Sequence, residues 1–161
     1  MRTTPFDQRP SGLRLVGELP WGSHFCVFHA EQPELLEVLV PFIKAGLECN
    51  ELCSWEVSAP LTVQEAATAL TEAVPELERY LALGQMEILS PNKSVTRPAS
   101  VENALERRID QAILAAFDGL RLVRHAGGGP KKRPLAAGLE AISRLNIVAC
   151  FLYPRAELGA A

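Results

Sequence analysis

Apolar and polar positions along this chain switch between two periods. His24-Phe25-Cys26-Val27-Phe28-His29 is a short, aromatic-rich run opened by Gly22-Ser23, and it predicts a strand. Gln32-Pro33-Glu34 then opens a helix, with proline in the first turn and acid near the positive end of the dipole. Leu35, Leu36, Leu39, Val40, Ile43 and Leu47 follow at helical spacing. Pro41 interrupts that pattern and predicts a kink or an unpaired carbonyl, and Asn50 is the expected stop. Leu52 to Val57 predicts a second strand. Thr62 to Leu83 reads as helical, with apolar positions at Val63, Ala66, Ala67, Leu70, Val74, Leu77 and Leu81, a division at Pro75 and an end at Gly84. Met86 to Leu89 predicts a third strand. Pro91 to Pro98 reads as a loop, and Ser100 as the cap of a helix that runs to about Phe117 and stops at Asp118-Gly119. Leu120 to Val123 predicts a fourth strand, His125 to Pro134 a glycine-rich basic loop, Leu135 to Leu145 a short helix, and Ile147 to Leu152 a fifth strand. Residues 1–20, with Pro5, Pro10 and Pro20, read as an irregular lead-in to a domain over residues 21–161.

Strand and helix alternate throughout, which predicts an α/β fold: a mostly parallel five-stranded sheet with helices on both faces. The apolar first strand is expected at its centre. Ligands of such folds sit at the carboxyl ends of the strands. Those ends are His29-Ala30-Glu31, Ser58-Ala59-Pro60, Ser90-Pro91-Asn92 and Arg124-His125-Ala126-Gly127.

Composition narrows the classes. At 161 residues, 48% hydrophobic and 22% charged, the chain suits one ordinary globular domain. A net charge of −3 gives no basic excess, so direct nucleic-acid binding is not expected. No apolar run approaches the ~20 residues of a membrane span, and Met1 to Asp7 has no apolar core of a secretory signal. Four cysteines are too few for a disulfide scaffold. A cytoplasmic protein with reduced thiols is expected.

Three segments carry a resemblance to a known family. They are Leu19-Pro20-Trp21-Gly22-Ser23-His24-Phe25-Cys26-Val27-Phe28, Leu36 to Leu47 with its Pro41, and Asn50-Glu51-Leu52-Cys53-Ser54-Trp55-Glu56-Val57-Ser58. They resemble the MEDS (methanogen/methylotroph, DcmR-type) sensory domain, strongly over about residues 16–90 and more weakly at Phe117 to Arg121. The resemblance implies a three-layer relative of the RecA and KaiC ATPases that lacks the phosphate loop. It also implies a role in regulators and sensor kinases, sensing small molecules of one-carbon or hydrocarbon metabolism.

The residues agree on the missing loop. A phosphate loop needs glycines whose N–H groups wrap the phosphates. Here Ala30-Glu31-Gln32-Pro33-Glu34 is acidic, without glycine, and holds a proline. No catalysis is therefore expected, and no cofactor is named by the sequence. His24 and Cys26 share a strand face; with Cys53, Trp55 and Glu56 they are read as one cluster rimmed by His29. Histidine and thiolate suit zinc, iron or haem, yet free cysteines are also among the most buried residues, so metal binding, ligand contact and plain packing all stay open. His125, at the fourth strand end, completes the ligand-binding candidates, with a pairing to Cys150 possible in space. The Gly127 to Arg133 loop reads either as a phosphate or acidic-partner site or as a solvated loop. The candidate partners are a small-molecule ligand, a signalling protein or a second copy of the chain, with a cryptic nucleotide or redox domain as a further alternative.

Overall fold

The computed structural model describes residues 7–90, 101–126 and 135–158, except the side chains of 101–102, 135–137 and 157–158. The chain opens with a hairpin, β1 (Gln8–Pro10) and β2 (Glu18–Pro20), paired antiparallel with Gln8 opposite Pro20. The core follows as β3 (His24–His29), α1 (Gln32–Glu48), β4 (Leu52–Glu56), α2 (Val63–Ala73), α3 (Leu77–Ala82), β5 (Met86–Leu89), α4 (Val101–Leu114), β6 (Leu120–His125), α5 (Leu135–Arg144), β7 (Ile147–Pro154) and α6 (Arg155–Leu158). The five strands β3–β7 form one parallel sheet in the order β3-β7-β6-β4-β5.

The sheet separates two hydrophobic clusters. On the face covered by α1 and α2 lie Phe25, Val27, Val148, Cys150, Leu152, Val123, Cys53, Trp55, Val57, Met86 and Ile88. Toward α4 and α5 lie Leu52, Leu120, Leu122, Ile147, Ala149, Phe151 and Tyr153. This is the expected α/β/α sandwich. The three inner strands are buried on both faces, which is why they read as continuous apolar runs.

Two expectations are corrected. The first strand is not central: among the described residues β3 pairs only with β7, at an edge of the sheet. Its burial alternates, with His24, Cys26 and Phe28 exposed, as for a strand covered on one face. High apolar content had suggested burial on both faces, but half of that content packs on α1, where Phe25 meets Phe42 edge-on at 5.3 Å. Residues 8–20 of the lead-in are also not irregular, since they hold the β1–β2 hairpin. Gly12 and Gly17 have positive φ, and the Ser11 hydroxyl bonds Leu13 and Gly17 carbonyls across the turn. α1 runs unbroken through Pro41, whose carbonyl lies against Gly12 of the hairpin; a side chain on Gly12 would strike it. The Gly127 to Arg133 loop and the Ser100 cap lie outside the described residues.

Candidate functional site

Strand register fixes which side chains share a row. Phe25, Cys150, Val123, Trp55 and Ile88 are successive partners across the sheet, so they form one row under α1. Val27, Leu152 and His125 form the next row toward the carboxyl end, and His29 lies one row further. Adjacent strands are ~4.8 Å apart, so Trp55 and the β3 row are roughly 14 Å apart.

The register divides the seven sequence candidates. Cys53, Trp55, His29 and His125 face α1 and α2. His24, Cys26 and Glu56 face the opposite side. Cys26 and Cys53 therefore lie on opposite faces, on strands separated by β7 and β6. The single cluster is overturned: strand order, invisible to local spacing, puts the first strand three places from the second. Glu56 meets Arg124 at 3.3 Å on the α4/α5 side. Cys53 sits toward the amino end, its Sγ 3.7 Å from the Ile43 and Glu51 carbonyls, and burial pushes its thiol well up. That is a packing role. Cys26 is exposed and Cys49 half-buried, and burial raises both thiols. His125 is the partner of Leu152, two residues beyond Cys150. Among the described residues, no group of three or more His, Cys, Asp or Glu side chains could hold a metal ion.

The carboxyl end of the α1/α2 face is different. Trp55 is fully buried, and its indole Nε1 finds no hydrogen-bond partner among the described residues; nor does the buried Ser58 hydroxyl, three residues on. A buried donor left unmet costs roughly 1–3 kcal/mol. His29, 2% exposed, closes the β3 end of this face. Ala59-Pro60 is a cis peptide that turns the chain into α2. The α2 N-terminus is closed by its own side chains. Thr62 and Glu65 form a reciprocal capping box on α2. On α1 the Glu34 carboxylate accepts from Ala30 N–H at 3.0 Å, which holds it below the usual carboxylate range. A shallow groove of about 280 Å³ runs between these helices, lined by Gln32, Leu36, Gln64, Glu65, Thr68 and Glu72.

At the amino end lies a charged network that sequence reasoning missed. Arg121 and Glu51, both with wholly buried side chains, pair through two hydrogen bonds of 2.6 and 3.0 Å. Arg121 also donates to the Phe42 and Pro10 carbonyls at 2.8 and 2.9 Å. Arg9 reaches Glu51 and Asp118, each at 3.0 Å, and the Cys49 carbonyl. Burial opposes its charge, but Glu51 and Asp118 together hold the Arg9 guanidinium above its usual pKa. The available signal was an arginine in the apolar phase of Leu120-Arg121-Leu122-Val123, which demands a buried acid. The network joins the hairpin to the amino ends of β4 and β6, so its role is structural.

The parallel sheet with helices on both faces defines a three-layer α/β domain. The family model of the MEDS domain (MEthanogen/methylotroph, DcmR Sensory domain) matches residues 23–160, and the chain belongs to that family. The hairpin at 8–20 precedes the matched segment. No curated protein matches the chain.

Proposed function

We propose that this sensory domain works without catalysis, by binding a small molecule at the carboxyl end of its α1/α2 face. Family membership supports the sensory role. One observation carries the location: Trp55 Nε1 and Ser58 Oγ are buried polar groups without a partner among the described residues. Native proteins satisfy the great majority of such groups, and strand ends are where α/β folds receive ligands. Cys53 and Cys150, deep in the same face, serve packing.

Thermal melts of the chain against a mixed library of metabolite-sized neutral, anionic and cationic compounds and nucleotides test the site. At least one compound is expected to raise the midpoint saturably, as mass action requires, and Trp55→Phe is expected to abolish that rise. A rise that Trp55→Phe and Ser58→Ala both leave intact places the ligand elsewhere. A second reading, docking of a signalling protein, is favoured by the exposed face of the edge strand β3, where Phe28 is half exposed beside Cys26 and His24. Capture of a partner by the ligand-free chain, lost on Phe28→Glu, supports that reading.

A further inference from the structure

We infer that the site takes a small uncharged molecule bearing a hydrogen-bond acceptor, such as a ketone, amide or ester oxygen, and excludes phosphates and carboxylates; this rests on the site reading above. An indole N–H can only donate, so the atom that meets Trp55 Nε1 must accept.

The surroundings select against charge. Leu35, Leu39, Val57, Leu61 and Leu152 share the hydrophobic cluster of Trp55, and each is at most 5% exposed. An ion moved into such surroundings loses its hydration without an opposite charge to replace it. Helix N-termini ordinarily attract anions, but each one here carries an acid of its own in the first turn, Glu34 on α1 and Glu65 on α2, and Thr62 and Glu65 close the α2 end with a capping box. Among the described residues, the arginines at this end face acids: Arg124 meets Glu56 and Arg155 meets Glu34 at 3.8 Å. A phosphate or carboxylate entering past Glu34 and Glu65 meets like charge. A neutral acceptor meets an apolar wall and the waiting indole donor.

The test reads the Trp55 indole proton directly by ¹⁵N–¹H NMR on the full chain. There are two tryptophans, and Trp21→Phe assigns the second indole peak to Trp55. The probes are acetone, cyclohexanone, N-methylacetamide and ethyl acetate, set against acetate, butyrate, methylammonium and inorganic phosphate. Saturable downfield movement of the Trp55 peak with one or more neutral probes, and none with the ions, is the expected result. Saturable movement with acetate, butyrate or phosphate overturns the ligand class while leaving the site in place. A Trp55 indole that exchanges magnetisation only with a resident water, and that no probe of either kind moves, overturns both the class and the site. Trp55→Phe adds a second readout, loss of the probe-induced rise in melting midpoint. The indole titration, which needs no change at Trp55, keeps the test open if that variant does not fold.

Discussion

Cys26, Cys49, Cys53 and Cys150 are all free thiols, and their environments rank them. Cys53 and Cys150 are fully buried, and burial drives both thiols far above their ordinary range. Cys26 is exposed on the edge strand with a modestly raised thiol, and Cys49 is half-buried beside Glu51 and Arg9. Only the thiolate is nucleophilic. Titration with an aromatic disulfide reagent is therefore expected to label Cys26 first and Cys49 more slowly, with Cys53 and Cys150 reacting only on unfolding. The Cys26 rate should climb with pH through and beyond ~8.5, the ordinary thiol value. Fast labelling of Cys53 in the folded protein at neutral pH contradicts its packing role. At this scale the sequence was legible only in part. Period-2 alternation alone separates Trp55 from its neighbour Glu56, as the sheet shows, because strand geometry is local. It could not show that Trp55 and Ser58 leave their donors unmet, because that depends on what packs over them.

Helix and strand limits follow from local rules, so they were the most readable part of the chain. Pro75 divides α2 from α3 as its missing N–H requires, and Asn50 ends the α1 segment in a left-handed conformation. β3 matched its predicted limits but not its predicted depth. An aromatic-rich strand can bury one face under α1 and leave Phe28 stacked on Tyr153 at the rim, and composition does not separate the two cases. α2 offers the clearest test of an element. Its capping box satisfies two otherwise orphaned amides, so Thr62→Ala is expected to cost about 1 kcal/mol in a urea melt. Glu65 has its folded pKa lowered, chiefly by the Thr62 backbone N–H and then by the hydroxyl. Its contribution is therefore present above its unfolded value of ~4.3 and lost as pH falls through the lower folded value. The Thr62→Ala penalty should shrink over that acid range and stay constant from pH 6 to 8; a penalty that grows on acidification contradicts the box.

Strand order is a property of the whole molecule, and local pattern carries little of it. β3 and β4 follow each other in sequence yet stand three places apart, with β7 and β6 between them. The hairpin β1–β2 shows the same limit. Short, proline-bearing segments read as irregular, yet they are held by groups up to 111 residues away, as Arg121 Nη2 bonds the Pro10 carbonyl. Gly46 shows how close that anchor lies: a β-carbon there would sit 2.6 Å from Arg121 Cδ and 2.7 Å from Cys53 Sγ. Removing the guanidinium should therefore act in two places. Arg121→Met leaves the Glu51 carboxylate buried with Arg9 as its remaining cation, and losing one partner of a buried pair costs about 3–5 kcal/mol. Against a total stability of ~5–15 kcal/mol for a domain, that is a large share. The same change frees Pro10, so amide exchange over residues 8–20 should rise more than over β6 or β7 once the global loss is subtracted. Arg9→Ala, which keeps the Arg121–Glu51 pair, should cost less and loosen the hairpin alone. Because the Arg121 and Glu51 side chains are shielded from solvent, 0.5 M salt should leave the Arg121→Met penalty nearly unchanged. Urea melts of the single variants and of the Glu51→Gln/Arg121→Met double variant close the cycle. The double variant is expected to lose clearly less than the two singles added together, since neither remaining group is a buried, unpaired charge. A loss below about 1 kcal/mol in Arg121→Met, or strict additivity in the double variant, means that the network does not hold the hairpin to the sheet.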